Sequence, residues 1–136
     1  MSTAMQFAAF AVEHTAVPRA ELVRILKMTD IVLIPSVNEP HGMVMLESMA
    51  CGCITISSNR EGIMEFMQHG KTGFLLEHPD NPDEALAKPE DVIVRLDLHG
   101  NPRHAVRQAA VTRFDWNVVT MQLEEIYLET IRTRFA

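Results

Sequence analysis

DIVLIPSVNEPHGMVMLESMACGCITIS, residues 30–57, contains the patterns that decide the fold. Ile31–Pro35 is a continuous, mostly β-branched apolar run, which is typical of a parallel strand covered on both faces. A loop follows and leads into a predicted helix over Met43–Ala50, and Ile54–Ser57 predicts the next strand. Strand, helix and strand at this spacing favour an α/β fold with a parallel sheet.

The rest of the chain continues the alternation of helix and strand. The predicted elements are a short strand at Gln6–Val12, a helix at Ala20–Met28, a short helix at Gly62–Gln68, a strand at Gly73–Leu76, a loop or broken helix at His78–Pro89, and helices at Pro102–Phe114 and Trp116–Arg132. The last helix carries an apolar stripe that we expect to lie in the core, formed by Trp116, Val119, Leu123, Ile126 and Tyr127. We therefore predict a single α/β domain over residues 1–136, Rossmann-like, with a mainly parallel sheet and flanking helices.

Composition and charge exclude several classes of function. The chain has 136 residues, 47% of them apolar, and a formal net charge of −6. Its basic residues are scattered, and Arg103, Arg107 and Arg113 are predicted to spread along a solvated helix face, so we expect no nucleic-acid partner. No apolar stretch approaches the roughly 20 residues of a membrane span. The N-terminus lacks the basic region of a signal peptide.

Two weaker patterns are interpreted as structure rather than chemistry. Gly70-Lys71-Thr72 resembles part of a phosphate loop, but Glu65 stands where that loop requires a glycine, so we predict a turn. Cys51 and Cys53 are separated by one residue, which argues against a disulfide framework and favours a reducing, cytoplasmic location. The two cysteines and the later histidines lack zinc spacing, so we expect buried thiols and no metal ligands.

The helix predicted at Met43–Ala50 carries one carboxylate, Glu47, among almost entirely apolar neighbours, so we expect this helix to be buried. Burying an unpaired charge costs about several kcal/mol. Glu47 therefore has either a structural partner, as an ion pair or a backbone cap, or a ligand. Its spacing alone leaves both alternatives open.

The start of this helix favours a ligand. A helix that follows a parallel strand presents its first N–H groups in the crevice at the carboxyl end of the sheet. Gly42 removes a blocking side chain, and the amides of residues 43–45 attract phosphate through their unsatisfied donors and the helix dipole. Glu47 lies roughly 6 Å of helix rise further along, and Glu39 precedes the helix. A sugar nucleotide, with phosphates between two hydroxyl-bearing rings, matches this arrangement.

Glu39 and Glu47 are separated by seven residues, and this E-x7-E spacing resembles that of the GT4-type retaining glycosyltransferases. Further stretches carry the resemblance: DIVLIPS at residues 30–36, LESMACGC at 46–53, GIME at 62–65, GKTGFL at 70–75 and FDW at 114–116. They cover most of Asp30–Tyr127, and their combination is specific. The chain thus resembles the C-terminal, sugar-nucleotide-binding half of a GT-B enzyme. It departs from the family at Asn59-Arg60-Glu61, where a glycine pair is more usual.

The resemblance implies a role for individual residues. Glu39 would be catalytic and would bind donor-sugar hydroxyls, whereas Glu47 would hold the ribose hydroxyls. His41 would either contact the donor sugar or only fill the loop. The activity implied is hexosyl transfer with retention at the anomeric carbon, in which stabilising the charge of the departing phosphate is most of the catalysis. No metal and no other cofactor is implied. The donor-binding set is Glu39, His41, Gly42, Met43, Val44 and Glu47.

The resemblance also implies partners. A GT-B enzyme has an N-terminal Rossmann-like domain for the acceptor, and 136 residues leave no room for it. A glycine-arginine turn and a lysine that neutralise the diphosphate in the family have no equivalent before Asp30. We therefore expect a truncated C-terminal domain that binds a nucleotide sugar weakly and transfers nothing measurable without the N-terminal domain or a partner chain. Peripheral membrane attachment would come through the full enzyme.

One edge of the sheet is expected to need a partner. In the strand order of such domains Gln6–Val12 resembles the third strand and Ile31–Pro35 the fourth, and these are not neighbours. The later strand would have an exposed apolar edge, which is a template for pairing. We expect either direct pairing of the two strands or closure by another chain, which gives a homo-oligomer if that chain is a second copy. The family's final helix can lean on the N-terminal domain, so part of its apolar face is also expected to be exposed or used in oligomer contacts.

Two other functions stay open. The first is a non-catalytic nucleotide-sugar-binding or assembly module that works with a partner chain. The second is a flavodoxin-like module that binds an unrelated anion at the helix start, which leaves the pair Glu39 and Glu47 unexplained.

Overall fold

The computed structural model describes residues 17–36, 42–99 and 102–134. In chain order the elements are α1 (Arg19–Met28), β1 (Ile31–Ile34), α2 (Met43–Ala50), β2 (Ile54–Ser58), α3 (Glu61–Met64), β3 (Phe74–Leu76), α4 (Pro82–His99), α5 (Arg103–Phe114) and α6 (Trp116–Arg134). The strand predicted at Gln6–Val12 lies outside the described residues, and so does any pairing between it and β1.

The three strands form one parallel sheet in the order β1-β2-β3. Ile31 pairs with Ile54, and Ile56 pairs with Phe74. Every residue of β2 is buried. Because successive side chains of a strand point to opposite faces, burial of both isoleucine and hydroxyl positions means that β2 is covered on both faces. The prediction of an α/β domain with a mainly parallel sheet is confirmed.

α2 and α4 pack against the sheet, and one core of buried side chains joins the sheet to α2, α4 and α5. α2 packs against β1, β2 and α5, whereas α4 packs against β3 and β1. The best-buried side chains come from several elements: Met45 and Met49 of α2, Ile56 of β2, Leu76 of β3, Val92 of α4 and Val106 of α5. Local apolar runs therefore converge on one centre, with β2 in its middle.

The three arginines of α5 donate hydrogen bonds to residues at the ends of other elements. Arg103 Nη1 donates to Asp30 Oδ1 over 2.5 Å, Arg107 donates to the carbonyl of Ala50, and Arg113 donates to the carbonyl of Glu65 over 3.1 Å. Ala50 is the last residue of α2, where a cation also complements the helix dipole. The predicted solvated face is thus a set of helix-end contacts, with Arg107 and Arg113 exposed as expected.

The prediction for residues 78–89 is wrong in part. Instead of a loop or broken helix up to Pro89, α4 begins at Pro82 and runs through Pro89 to His99. Proline is tolerated in a first helical turn because its missing N–H has no partner there. Pro89 does lie inside the helix, but Val92 is fully buried in the core, so tertiary packing holds the segment helical past the proline.

The short third helix ends earlier than predicted, at Met64 instead of Gln68. Met67 is buried close to Gly73 in the turn that follows, where Gly70 has a positive φ of 76°. A Cβ on Gly73 would lie 2.6 Å from Met67 Sδ and 2.8 Å from the carbonyl oxygen of Thr55. Gly70 is therefore needed for its backbone angle and Gly73 for the absence of a side chain.

The prediction that the stripe on the last helix lies in the core is wrong. Along Trp116–Arg134 no residue of α6 is buried, and Trp116 is 80% exposed. Within the described part of the chain, α6 packs mainly against α5. Periodicity shows which side of a helix is apolar, but burial depends on whether another element covers that side. The family-based expectation of an exposed apolar face agrees with this geometry.

Candidate functional site

The start of α2 lies at the carboxyl edge of the sheet. β1 ends at Ile34 and β2 ends at Ser58, and because the strands are parallel their ends share one edge. Leu46 N–H donates to the carbonyl of Gly42 over 3.0 Å, which is the first hydrogen bond of the helix. The N–H groups of residues 43–45 therefore have no partner within α2, and they lie where α/β proteins bind ligands.

Gly42 precedes α2 in the left-handed conformation, with φ of 55° and ψ of 40°. Its position is buried, and a Cβ there would lie 3.3 Å from Met45 Cε and 3.9 Å from Ile63 Cγ1. Both the backbone angle and the neighbouring side chains thus favour glycine. The contact with Ile63 also places the start of α2 beside α3, which follows β2.

The expectation that α2 is buried all round is wrong. Its buried face consists of Met45, Ser48 and Met49, the i, i+3 and i+4 positions that face the core. Met43 is 57% exposed and Val44 is 48% exposed, because the first turn stands at the sheet edge and not between layers. The exposed turn leaves the amides predicted to bind phosphate at the surface of the molecule.

Glu47 is neither fully buried nor unpaired. Its side chain is 26% exposed, and its Oε1 lies 3.3 Å from Nη2 of Arg19, the first residue of α1. The structure therefore shows the ion pair that the sequence left open as the structural alternative. Arg19 could not be predicted as the partner, because the two residues belong to different helices and no local pattern connects them.

The ends of β2 and β3 add polar groups to the same edge. Asn59 Nδ2 donates to Glu77 Oε2 over 3.1 Å, and the carboxylate of Glu84 accepts the N–H groups of Glu77 and His78 over 2.8 and 2.7 Å. These two hydrogen bonds lower the pKa of Glu84. Ser58 Oγ and Asn59 Oδ1 are buried without a hydrogen-bond partner within the described residues. Among these residues the sequence patterns marked only Asn59, which belongs to the Asn59-Arg60-Glu61 departure from the family.

Two of the predicted site residues cannot be placed against the others. Glu39 and His41 lie outside the described residues. The structure brings Gly42, Met43, Val44 and Glu47 together at the start of α2, and the roles given to all six residues stay predictions.

The two cysteines differ in environment. Cys53 is buried, and its Sγ donates to the carbonyl of Leu26 over 3.0 Å. Burial raises the pKa of the Cys53 thiol to about 11, and Cys51 beside it adds to the rise. Cys51 is half-buried, and both thiols are free. Across the described ranges no three His, Cys, Asp or Glu side chains are grouped to hold a metal ion, and none of the helices there combines the length and apolar character of a membrane span.

The fold defines a class: it is an α/β domain with a parallel sheet of the kind found in GT-B glycosyltransferases, and its candidate site is a glycine-led helix start at the carboxyl edge of that sheet. The sequence model of the family described as "Glycosyl transferases group 1" matches residues 14–110. This chain belongs to that family.

Curated relatives agree with this assignment. The chain is 35% identical over 111 residues to N-acetyl-alpha-D-glucosaminyl L-malate synthase of Bacillus anthracis, a match that covers 79% of this chain and 28% of the relative. It is 33% identical over 115 residues to D-inositol 3-phosphate glycosyltransferase of Thermobispora bispora, covering 84% of this chain and 26% of the relative. The chain therefore spans less than a third of the length of these relatives.

Solved structures share the fold. The crystal structure of Anabaena Alr3699/HepE in complex with UDP and glucose matches with a TM-score of 0.72 and 27% identity, over 82% of this chain and 30% of that one. Sucrose-phosphate synthase from Thermosynechococcus elongatus matches with a TM-score of 0.75 at 20% identity, over 86% of this chain and 29% of that one, and shows the fold alone. The predicted resemblance to the group 1 (GT4-type) family is confirmed.

Proposed function

We propose that this chain is the donor-binding domain of a retaining glycosyltransferase and that its ligand is a nucleoside-diphosphate sugar. The observation that carries the proposal is the start of α2, where a left-handed glycine at the carboxyl edge of a parallel sheet precedes an exposed first turn. Family membership supports the activity. The similarity to Anabaena Alr3699/HepE, whose structure is a complex with UDP and glucose, supports the class of ligand.

The diphosphate would lie against the first turn of α2. Gly42 has no side chain to hinder its approach, and the N–H groups of Met43 and Val44 would donate to phosphate oxygens. The positive end of the helix dipole favours the same anion. As the bond from the anomeric carbon to the leaving phosphate oxygen breaks, negative charge grows on the diphosphate, and fixed donors already aimed at it lower the barrier.

The two carboxylates would hold the two ends of the ligand. Glu47 lies on α2 roughly 6 Å of helix rise beyond Met43, a suitable distance for its oxygens to accept hydrogen bonds from the ribose hydroxyls. Glu39 would bind the hydroxyls of the transferred sugar beside the reacting carbon, with His41 next to it. Their roles come from the resemblance of the E-x7-E segment to the family.

The complete reaction would need more polypeptide. The chain spans 28% of its Bacillus anthracis relative, and we propose that an N-terminal domain or partner chain supplies the acceptor site. Alone, the chain would bind donor weakly, without a metal or other cofactor, and would transfer nothing measurable. We further propose a cytoplasmic location, with any membrane attachment made through the full enzyme and a homo-oligomer if a second copy closes the edge of β1.

A second candidate function is a non-catalytic module that binds the same ligand and acts through a partner chain. The exposed apolar side of α6 favours it, because such a surface is typical of contact with another protein or domain. Co-expression with a separate acceptor domain distinguishes the two. Sugar transfer by the pair supports the enzyme, and assembly without transfer supports the module.

Calorimetric titration with UDP-, GDP- and ADP-sugars tests the proposed function. We expect heat of binding for one base, with affinity reduced about tenfold or more by Glu47→Ala, since two hydrogen bonds to a carboxylate are lost. Glu125→Ala, which removes an exposed carboxylate of α6, serves as the matched control and should bind as the wild type does. Equal heats for wild type and Glu47→Ala would remove Glu47 from the ribose role, and absence of binding for every nucleotide would reject the donor site.

A further inference from the structure

The contact between Arg19 and Glu47 joins the candidate site to a helix that none of the sequence motifs includes. Arg19 Nη2 lies 3.3 Å from Glu47 Oε1. The carboxylate side is mostly shielded, since the Glu47 side chain is 26% exposed, whereas the Arg19 side chain is 83% exposed. Arg19 therefore reaches in from solvent to a carboxylate held on the core-facing helix.

The fold brings the first residue of α1 to the carboxyl edge of the sheet. Only Thr29 and Asp30 connect α1 to β1, and the contact of Arg19 with Glu47 shows that α1 begins near α2. The end of α1 is fixed at the amino edge, where Ile54 N–H donates to Asp30 over 2.8 Å and Cys53 Sγ donates to Leu26 over 3.0 Å. Ten helical residues span about 15 Å, similar to the roughly 13 Å of the four residues of β1. The helix thus returns to the level at which α2 begins.

We propose that Arg19 is a positioning residue for donor binding, which holds the Glu47 carboxylate in the orientation that receives the ribose hydroxyls. This inference rests on the proposed function. A glutamate side chain loses rotamer freedom when it binds a ligand, and a partner that fixes it beforehand reduces that entropic cost. Arg19 contacts Oε1, so the other carboxylate oxygen keeps its lone pairs for hydroxyl donors.

The exposure of the pair separates binding from folding. An ion pair whose arginine lies mainly in solvent contributes little to the stability of the fold. Loss of Arg19 should therefore appear in ligand binding and not in the melting temperature. Only the contribution of the ribose to the binding free energy should change, because Arg19 acts through Glu47.

The preference for ribose over 2′-deoxyribose measures this effect directly. The full chain is titrated with UDP and with 2′-deoxy-UDP, and the ratio of the two affinities is compared between variants. We expect Arg19→Ala to weaken UDP binding about fivefold, the size of one net hydrogen bond, with a much smaller change for 2′-deoxy-UDP. The ratio should then approach that of Glu47→Gln, and Arg19→Lys should restore most of it.

Arg24→Ala is the matched control. Arg24 lies on the same helix, is similarly exposed, and pairs with Glu21 over 3.9 Å, away from α2. It should leave both affinities unchanged. Two results for Arg19→Ala would overturn the positioning role. The first is an unchanged preference for ribose, and the second is an equal loss of affinity for both nucleotides together with a lower melting temperature. In either case Glu47→Gln still tests whether Glu47 binds the ribose. If wild type and Glu47→Gln bind UDP equally, Glu47 has no ribose role and the inference fails, whereas absence of binding for every nucleotide rejects the proposed function itself.

Discussion

Replacement of Gly42 by alanine tests the geometry at the start of α2. The residue has φ of 55°, where a Cβ costs about 1–2 kcal/mol. Alanine also reduces the conformational entropy of the unfolded chain, which stabilises the folded protein by about 0.4–1 kcal/mol. The new Cβ would lie 3.3 Å from Cε of fully buried Met45, which adds about 1 kcal/mol because that methyl has little room to move. We expect Gly42→Ala to lower the free energy of unfolding by about 1–2.5 kcal/mol.

Gly70→Ala is the matched control for this substitution. Gly70 has a similar φ of 76°, but a Cβ there would have nothing within 4 Å. It should show only the backbone cost less the entropic gain, about 0–1.5 kcal/mol. Urea denaturation of the two variants and the wild type measures the difference, about 1 kcal/mol or roughly 3 °C in melting temperature. Equal stabilities for the two variants would refute the claim that the space beside Gly42 is restricted.

The same pair of variants separates stability from binding. Under the proposed function a Cβ at position 42 also hinders the approach of the diphosphate to the first turn of α2, whereas position 70 lies in a distant turn. Gly42→Ala should therefore lose UDP binding at temperatures where it is fully folded, and Gly70→Ala should retain it. Normal binding by Gly42→Ala would place the diphosphate elsewhere.

Three further predictions follow from single contacts. Gly73→Ala should lower the free energy of unfolding by about 1–3 kcal/mol in urea denaturation, more than Gly70→Ala, because its Cβ would meet the Thr55 carbonyl oxygen at 2.8 Å. Mass spectrometry after brief alkylation should find label on half-buried Cys51 and almost none on Cys53. The Cys53 thiol has a pKa of about 11, which leaves about 0.1% thiolate near pH 8. Equal labelling of the two cysteines would contradict this. Because the pKa of Glu84 is lowered, its stabilising effect is complete above the ordinary carboxyl pKa of 4.5 and is lost as the pH falls through the lower folded value. Glu84→Gln should therefore reduce the fall in the free energy of unfolding at acid pH. An unchanged dependence on pH below 4.5 would contradict this.

Much of the fold could be predicted because it is encoded locally. Short apolar runs bounded by turn residues gave β1, β2 and β3 to within a residue or two, and α2 was predicted with its observed limits. The position of Gly42 before α2 followed from the same pattern. The predictions that failed depend on contacts with residues that are distant along the chain. The stripe on α6 has helical periodicity, but no residue of α6 is buried.

The sequence by itself determined the class of fold, the family, and the kinds of residue gathered at the start of α2, because these depend on residue type and spacing along the chain. Only the tertiary structure decided that α4 continues through Pro89, since burial of Val92 outweighs the local preference of proline. Only the tertiary structure gave Glu47 its partner, because the contact with Arg19 joins the first residue of α1 to α2 and no spacing in the sequence records it. Local patterns fix what each segment is able to form, and packing fixes which segments meet.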